Sequence, residues 1–191
     1  MNKSVVFTTA PLLVTVYAVF RVLDGLDGER GPGPAWTAGH LAFLVSLILF
    51  VPVLLELRRL AGGGRFATAT AVVGLFGAVF SLAQISVDLV VGALAADHEA
   101  MRALFADVRS VPGVEPLVYT VGPVLLYLGL LVMFCRLALA RAVPVWRAAA
   151  VVLAVLVSLL GLDALPAVGL LLCAALAPHP RLSTSPAADH C

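Results

Sequence analysis

Long apolar stretches separated by short polar gaps form the main pattern along this chain. The stretches that hold almost no charge are residues 5–20, 41–55, 66–96, 116–135 and 145–177. They are too long and too uniformly apolar for barrel strands, in which apolar and polar residues alternate. Because lipid offers the backbone no hydrogen bonds, a spanning chain of this kind must form helices. The pattern therefore predicts an all-α fold, a polytopic integral membrane helical bundle.

The lengths of the stretches predict six transmembrane helices. A span needs about 20 residues, and the predicted spans cover about 4–23, 36–57, 66–95, 116–139, 145–160 and 163–177. The region 145–177 is too long for one span and short for two. Gly161 should end one helix there and Asp163 should cap the next, which gives a tight hairpin. Five spans plus a re-entrant pair is the alternative.

The rest of the chain adds no separate soluble domain. Residues 1–177 form one predicted transmembrane domain, and residues 178–191 are rich in Pro, Ser and Ala, which predicts a disordered tail. The first apolar run is close to a full span, and no small-x-small cleavage site follows it, so we expect a retained helix rather than a signal peptide.

Composition supports the membrane assignment and narrows the partners. Apolar residues make up 62% of the chain and charged residues 12%, against about 45–50% and about 25% in soluble domains. A net charge of +1 gives no basic face for nucleic acid. The expected partners are therefore the lipid bilayer and a membrane protein or a second copy of this chain. The bias towards Arg, Ala, Val, Leu and Gly indicates a GC-rich bacterial genome.

The positions of the basic residues orient the predicted bundle. With the amino terminus inside, the cytoplasmic segments carry Lys3, Arg58, Arg59, Arg65, Arg136, Arg141, Arg147 and Arg181. The opposite side carries only Arg21, Arg30, Arg102 and Arg109. This asymmetry in short loops is the one expected for a bacterial inner-membrane protein with both termini in the cytoplasm.

The second outer loop contains a short amphipathic pattern. Apolar residues spaced for one helical face are Met101, Leu104, Phe105 and Val108. Asp97 is a good N-cap, so we predict an interfacial helix over residues 98–108. Its apolar stripe should lie on the outer membrane interface or cover the mouth of the bundle.

Small residues and prolines mark features within the predicted spans. Residues spaced by four that should lie at helix contacts are Gly74/Ala78, Gly77/Ser81 and Ala150/Ala154/Ser158. Such small-residue faces let helix backbones approach closely in lipid. Pro52 and Pro123 should kink the second and fourth spans.

Two ionisable residues lie inside the apolar runs and predict a polar cluster. His40 is near the outer end of the second span, and Asp88 is about two turns from the outer end of the third. Counting back from the connecting turn places His40 level with Gln84, with Asp88 one turn further out. Tyr119 lies at a comparable depth on the fourth span. Ionisable groups at membrane depth are costly, so such a cluster is a functional hypothesis.

The chemistry of this cluster allows two interpretations. A carboxylate beside an imidazole makes a competent general base or proton relay, so His40 and Asp88 are the candidate catalytic residues. Gln84 and Tyr119 are the candidate substrate-binding residues. The structural interpretation, which the sequence favours, is a hydrogen-bonded polar pair that fixes the helix register.

Nothing in the sequence calls for a cofactor or a metal ion. A b-type haem needs two histidines on facing spans, and His40 is the only histidine within a predicted span. Cys135, Cys173 and Cys191 have neither CxxC nor metal-ligand spacing. We therefore expect no cofactor and no metal site.

The leading functional expectation is association within the membrane. The chain should be a small multi-pass inner-membrane protein that acts by association with other membrane components or lipids. The alternative is an intramembrane enzyme or small transporter for a lipophilic substrate, with an outer-leaflet cavity lined by the His40 and Asp88 cluster.

Overall fold

The protein is built from helices, as the hydrophobic pattern predicts. The computed structural model describes residues 2–26 and 28–177; none of these is in a β-strand, and 84% of them are helical. The helices are α1 (Lys3–Asp24), α2 (Pro34–Leu60), α3 (Arg65–Leu94), α4 (His98–Ser110), α5 (Gly122–Leu139), α6 (Val145–Ser158) and α7 (Leu165–Leu176). A π-helical segment, Val114–Val121, runs directly into α5, and a 3₁₀ turn, Leu162–Ala164, precedes α7. The predicted tail lies outside the described residues.

Four helical segments are long and apolar enough to cross a membrane. They are α1, α2, α3 and the continuous stretch Val114–Leu139. By contrast α6 has 14 residues and α7 has 12, which correspond to about 21 Å and about 18 Å of rise. Both fall short of a lipid core of about 30 Å. The structure thus supports a helical membrane protein with four helical segments of spanning length and a shorter apolar hairpin.

Six of the helices form a closed ring. Following the contacts, α1 packs on α2, α2 on α3, α3 on α5, α5 on α6, α6 on α7, and α7 returns to α1. The interior is filled by large side chains from several helices, including Phe7, Phe50, Leu54 and Phe134, each at most 2% exposed. The ring is therefore a packed core rather than a channel.

Charged contacts show which helix ends lie together. Lys3 Nζ is 3.1 Å from Glu56 Oε1, and Arg136 Nε donates to the Ala61 carbonyl at 3.3 Å. We call this the basic end, because among the described residues its charged side chains are seven cations and one carboxylate, Glu56. The cations are Lys3, Arg58, Arg59, Arg65, Arg136, Arg141 and Arg147.

The opposite end of the ring carries α4, and we call it the α4 end. Asp97 is the N-cap of α4, where its Oδ1 accepts from the Ala100 amide at 2.8 Å, which confirms the predicted cap. Met101 is only 3% exposed, and the Phe105 ring meets Trp36 edge-on at 6.3 Å between centroids. The apolar stripe of α4 is therefore directed at the bundle, which corresponds to the predicted arrangement that covers its mouth.

Glycines at the α3–α5 contact allow close approach of the two backbones. A Cβ on Gly129 would lie 2.6 Å from Gly74 Cα, and a Cβ on Gly77 would lie 2.7 Å from the Leu125 carbonyl carbon. Ala78 is fully buried, and Ser81 is 3% exposed. The small-residue face predicted on the third span is thus in contact with α5. On α6, Ala154 is fully buried.

Asp163 does not cap the last helix, contrary to the sequence prediction. The residue before α7 is Ala164, which makes no side-chain cap. Asp163 lies within the 3₁₀ turn, and its Oδ1 is 2.6 Å from Arg30 Nη2 in the first loop. A carboxylate within reach of a guanidinium gains a charge-assisted hydrogen bond. The turn between α6 and α7 therefore lies at the α4 end, beside the first loop.

Arg147 holds the other end of the α6–α7 hairpin. It is 4% exposed, and its Nη1 donates to the carbonyls of Ala175 at 3.0 Å and Ala177 at 2.6 Å. The last carbonyls of a helix have no partner within the helix. The guanidinium supplies that partner for α7 at the basic end.

Candidate functional site

His40 lies in the first half of α2 in a nearly closed pocket. Its side chain is 3% exposed, and its Nδ1 is 2.8 Å from the carbonyl oxygen of Trp36, one turn earlier. A carbonyl can only accept, so Nδ1 carries the proton of this hydrogen bond. In the neutral ring the Nε2 lone pair then remains available on the side towards α3.

Asp88 and Tyr119 complete the polar cluster from two other segments. Asp88, on α3, is 8% exposed, and its Oδ2 lies 4.0 Å from His40 Nε2. That distance is too long for a direct hydrogen bond. The Tyr119 hydroxyl, carried by the π-helical segment, donates to Asp88 Oδ1 at 2.8 Å. The three side chains therefore form one cluster in which Asp88 is central.

Gln84 is not part of this cluster. It is half-buried, and within the described residues it makes no hydrogen bond to His40 or Asp88. The reason is the direction of the side chains. A helical Cα–Cβ bond tilts towards the helix amino terminus, so on the antiparallel pair His40 leans towards the α4 end and Asp88 leans towards the basic end. The two lean towards each other, while Gln84 leans away from His40.

Aromatic rings that the sequence analysis did not include surround His40. The Trp36 ring stacks on it at 3.8 Å, and the Tyr17 ring meets it edge-on at 5.3 Å. The i, i+4 spacing of Trp36 and His40 was visible in the sequence and is the signal that could have found the stacked pair. Tyr17 comes from α1, and no local pattern connects it to α2.

Arg109, in the last turn of α4, lies over the ring of Tyr119. The Arg109 guanidinium lies 5.1 Å from the centre of the Tyr119 ring, and its Nε is 3.2 Å from Glu115 Oε2. Cation–π contact of this kind holds an aromatic ring in place. The end of α4 therefore fixes the residue that donates to Asp88.

The cavity on the α1 side of His40 is very small. The cavity beside His40 measures about 10 Å³ and is bounded by Tyr17, Arg21 and Trp36, among others. That is about the size of one water molecule, whereas sites for small organic molecules occupy about 300–1,000 Å³. The cluster can connect a hydroxyl, a carboxyl group and an imidazole, but the cavity beside His40 has no room for a lipophilic substrate.

A second, much larger concavity lies at the basic end. It is a groove of about 790 Å³ on the side of the ring, between α5 and the turn that joins α2 to α3. Its lining is almost entirely apolar apart from Arg136, which also lies 5.3 Å over the Phe66 ring. None of the predicted site residues lines this groove.

Two further findings bear on the identity of the site. Among the described residues, no group of three or more His, Cys, Asp or Glu side chains could hold a metal ion. Comparison with known proteins gives no matching family model, no similar curated protein and no similar solved structure. The class that the fold defines is a helical membrane protein, and its function must be argued from the geometry.

Proposed function

We propose that this chain is a six-span protein of a bacterial cytoplasmic membrane that acts by lateral association with lipid or with another membrane component, including a second copy of itself. The single observation that carries the proposal is the contrast between its two concavities. The interior cavity beside His40 has about 10 Å³, whereas the groove on the lateral surface has about 790 Å³.

The charge distribution supports the proposed orientation. Seven of the described cations lie at the basic end, with Glu56 as the one described carboxylate there. Positively charged loops remain in the cytoplasm, so the basic end should face the cytoplasm and α4 should face outwards. The Arg30–Asp163 ion pair supports a sixth span, because it holds the α6–α7 turn at the α4 end.

Site-specific photocrosslinking tests the proposed association. A photoreactive residue at Val132, in the groove, is compared with one at Val79, which is 60% exposed on α3 and lies outside the groove. We expect discrete lipid or protein adducts at Val132 and only a spread of bulk lipid adducts at Val79. Identical adduct patterns at both positions would contradict lateral association at the groove.

The second candidate function is an intramembrane enzyme or transporter that uses the His40 cluster. One observation favours it: α4 lies across the cluster and contacts Trp36 through Phe105, in the position of a lid. Such a function requires a state in which α4 moves away, since a general base must reach the proton it removes.

Thiol labelling separates the two candidates. In a background without native cysteines, His40→Cys is compared with Ala103→Cys, which is exposed on α4. The leading proposal predicts that a small aqueous thiol reagent labels position 103 quickly and position 40 only after denaturation. Labelling of both at similar rates would favour the second candidate. His40→Ala and Asp88→Asn could then be assayed for transport or turnover.

A further inference from the structure

The groove at the basic end combines an apolar wall with one oriented cation. Its walls include Leu60, Phe66, Leu131, Val132 and Cys135, and Arg136 is the charged side chain among them. From Leu131 to Ala140 the groove follows α5 for about 13 Å. Half of a lipid core is about 15 Å, so the groove has the length of a chain within one leaflet.

Arg136 is held in place without using most of its hydrogen-bonding capacity. Its Nε donates to the Ala61 carbonyl at 3.3 Å, and its guanidinium lies over the Phe66 ring. A guanidinium has five N–H donors, and the two η nitrogens carry four of them. Those donors suit the oxygens of a phosphate group, which a guanidinium can bind in a bidentate manner.

The surroundings of Arg136 favour an anion. Glu56, the one described carboxylate at this end, is within 3.1 Å of both Lys3 and Arg59, so it is already paired and does not neutralise Arg136. Basic pockets between membrane helices at the cytoplasmic side bind anionic lipid headgroups. The groove therefore offers an apolar surface for a chain and an unneutralised cation for a headgroup.

We infer that the groove between α5 and the α2–α3 turn is a binding site for an anionic phospholipid, whose phosphate is bound by Arg136 and whose acyl chain lies along Phe66 and Leu131. The inference rests on the proposed lateral association and names its ligand. The site differs from a general basic surface because Arg136 is pre-oriented and because the apolar wall continues from it into the lipid core.

Native mass spectrometry of the delipidated full-length protein tests this site. The probes are a phosphatidylglycerol and a phosphatidylcholine with identical chains, together with glycerol 3-phosphate as a headgroup without chains. We expect one phosphatidylglycerol to bind at least about fivefold more tightly than phosphatidylcholine, and no retained glycerol 3-phosphate. Equal binding of the two lipids would overturn the inference, and retained glycerol 3-phosphate would show that the site takes a free phosphate instead.

Matched variants locate the bound lipid. Arg136→Gln should lower phosphatidylglycerol binding at least about fivefold, whereas Arg65→Gln removes the same charge at the same end and should change it by less than about twofold. Val132→Phe fills the groove without changing charge and should also weaken binding. Equal losses in Arg136→Gln and Arg65→Gln would overturn the inference in favour of a general basic surface.

Failure of this inference is distinguishable from failure of the proposed function. If discrete adducts form at Val132 but anionic lipid shows no preference, lateral association stands with another partner. If Val132 forms no discrete adduct, the proposed function itself fails.

Discussion

Asp88 illustrates how a carboxyl group is tolerated in an apolar helix. The side chain is 8% exposed, so its oxygens depend on protein partners. Tyr119 supplies one hydrogen bond at 2.8 Å, and the His40 ring lies 4.0 Å from the other oxygen. Buried polar groups that lose their partners are costly. The hydroxyl of Tyr119 should therefore contribute measurably to stability, whatever else the cluster does.

Tyr119→Phe tests this contribution. The change removes only the hydroxyl that donates to Asp88, so we expect the free energy of unfolding in detergent to fall by about 1–2 kcal/mol. Reversible denaturant unfolding measures it. Tyr127→Phe is the matched control, because the Tyr127 hydroxyl makes no hydrogen bond within the described residues. Equal losses in both variants would show that the Asp88 contact contributes nothing specific.

The polar cluster could be predicted only in part. Depth along three successive predicted spans placed His40, Asp88 and Tyr119 near one another, and the structure brings these three together. The same count also placed Gln84 level with His40, but Gln84 does not join, because the count treats side chains as perpendicular to the helix. Tyr17 could not be foreseen, since its position depends on how α1 packs.

At the scale of helices, the α3–α5 contact depends on glycines, which have no side chain to separate the two backbones. A Cβ on Gly77 would meet backbone atoms of α5, with the Gly122 carbonyl oxygen at 2.8 Å and the Leu125 carbonyl carbon at 2.7 Å. Backbone atoms cannot rotate away as a flexible side chain can. The two helices would therefore have to separate to accept even a methyl group.

Gly77→Ala should destabilise the protein by about 1–3 kcal/mol through overpacking. Thermal unfolding followed by circular dichroism measures the loss as a lower Tm. Gly64→Ala serves as the control, because a Cβ at Gly64 meets nothing within 4 Å. An unchanged Tm for Gly77→Ala would mean that α3 and α5 are not in close backbone contact.

Arg147 should stabilise the end of α7. Its Nη1 donates to the carbonyls of Ala175 and Ala177, and a cation at a helix carboxyl terminus also interacts favourably with the helix dipole. Arg147→Met should increase amide hydrogen exchange in α7 at least about tenfold, which corresponds to a local loss of about 1.4 kcal/mol.

Arg65→Met is the control for this effect. Arg65 is an exposed cation at the same end, and it makes no ion pair or hydrogen bond within the described residues. Its replacement should leave the exchange of α7 unchanged. Exchange that rises equally in both variants would indicate a general effect of charge rather than a cap.

The helices were more predictable than their ends. Long apolar runs separated by Gly, Pro and charged residues determine where the helices lie, and α4 begins one residue after its predicted cap. The π-helical form of Val114–Val121 was not predicted, because the apolar pattern does not distinguish it from an α-helix. The role of Asp163 was predicted wrongly, since its partner Arg30 is 133 residues away in sequence.

At the scale of the whole molecule, the ring determines which loops share an end. Lys3 contacts Glu56 at one end, and Arg30 contacts Asp163 at the other. The two ion pairs therefore lie at opposite ends of the ring of helices. In both the six-span and the re-entrant arrangement α6 and α7 enter and leave at the basic end, so the two arrangements differ only in how far the turn that carries Asp163 reaches across the membrane.

Cysteine accessibility tests the six-span topology. In a background without native cysteines, Arg65→Cys marks the basic end, Ala103→Cys marks α4, and Leu162→Cys marks the turn before α7, where Leu162 is 56% exposed. With six spans, a membrane-impermeant thiol reagent added to intact cells should label positions 103 and 162 but not position 65. Position 65 should react only after the cells are opened, and that reaction shows that its thiol is present and reactive. With a re-entrant pair, position 162 would lie within the membrane and stay unlabelled from outside. An unlabelled position 162 would therefore contradict six spans and favour four long spans with a re-entrant hairpin.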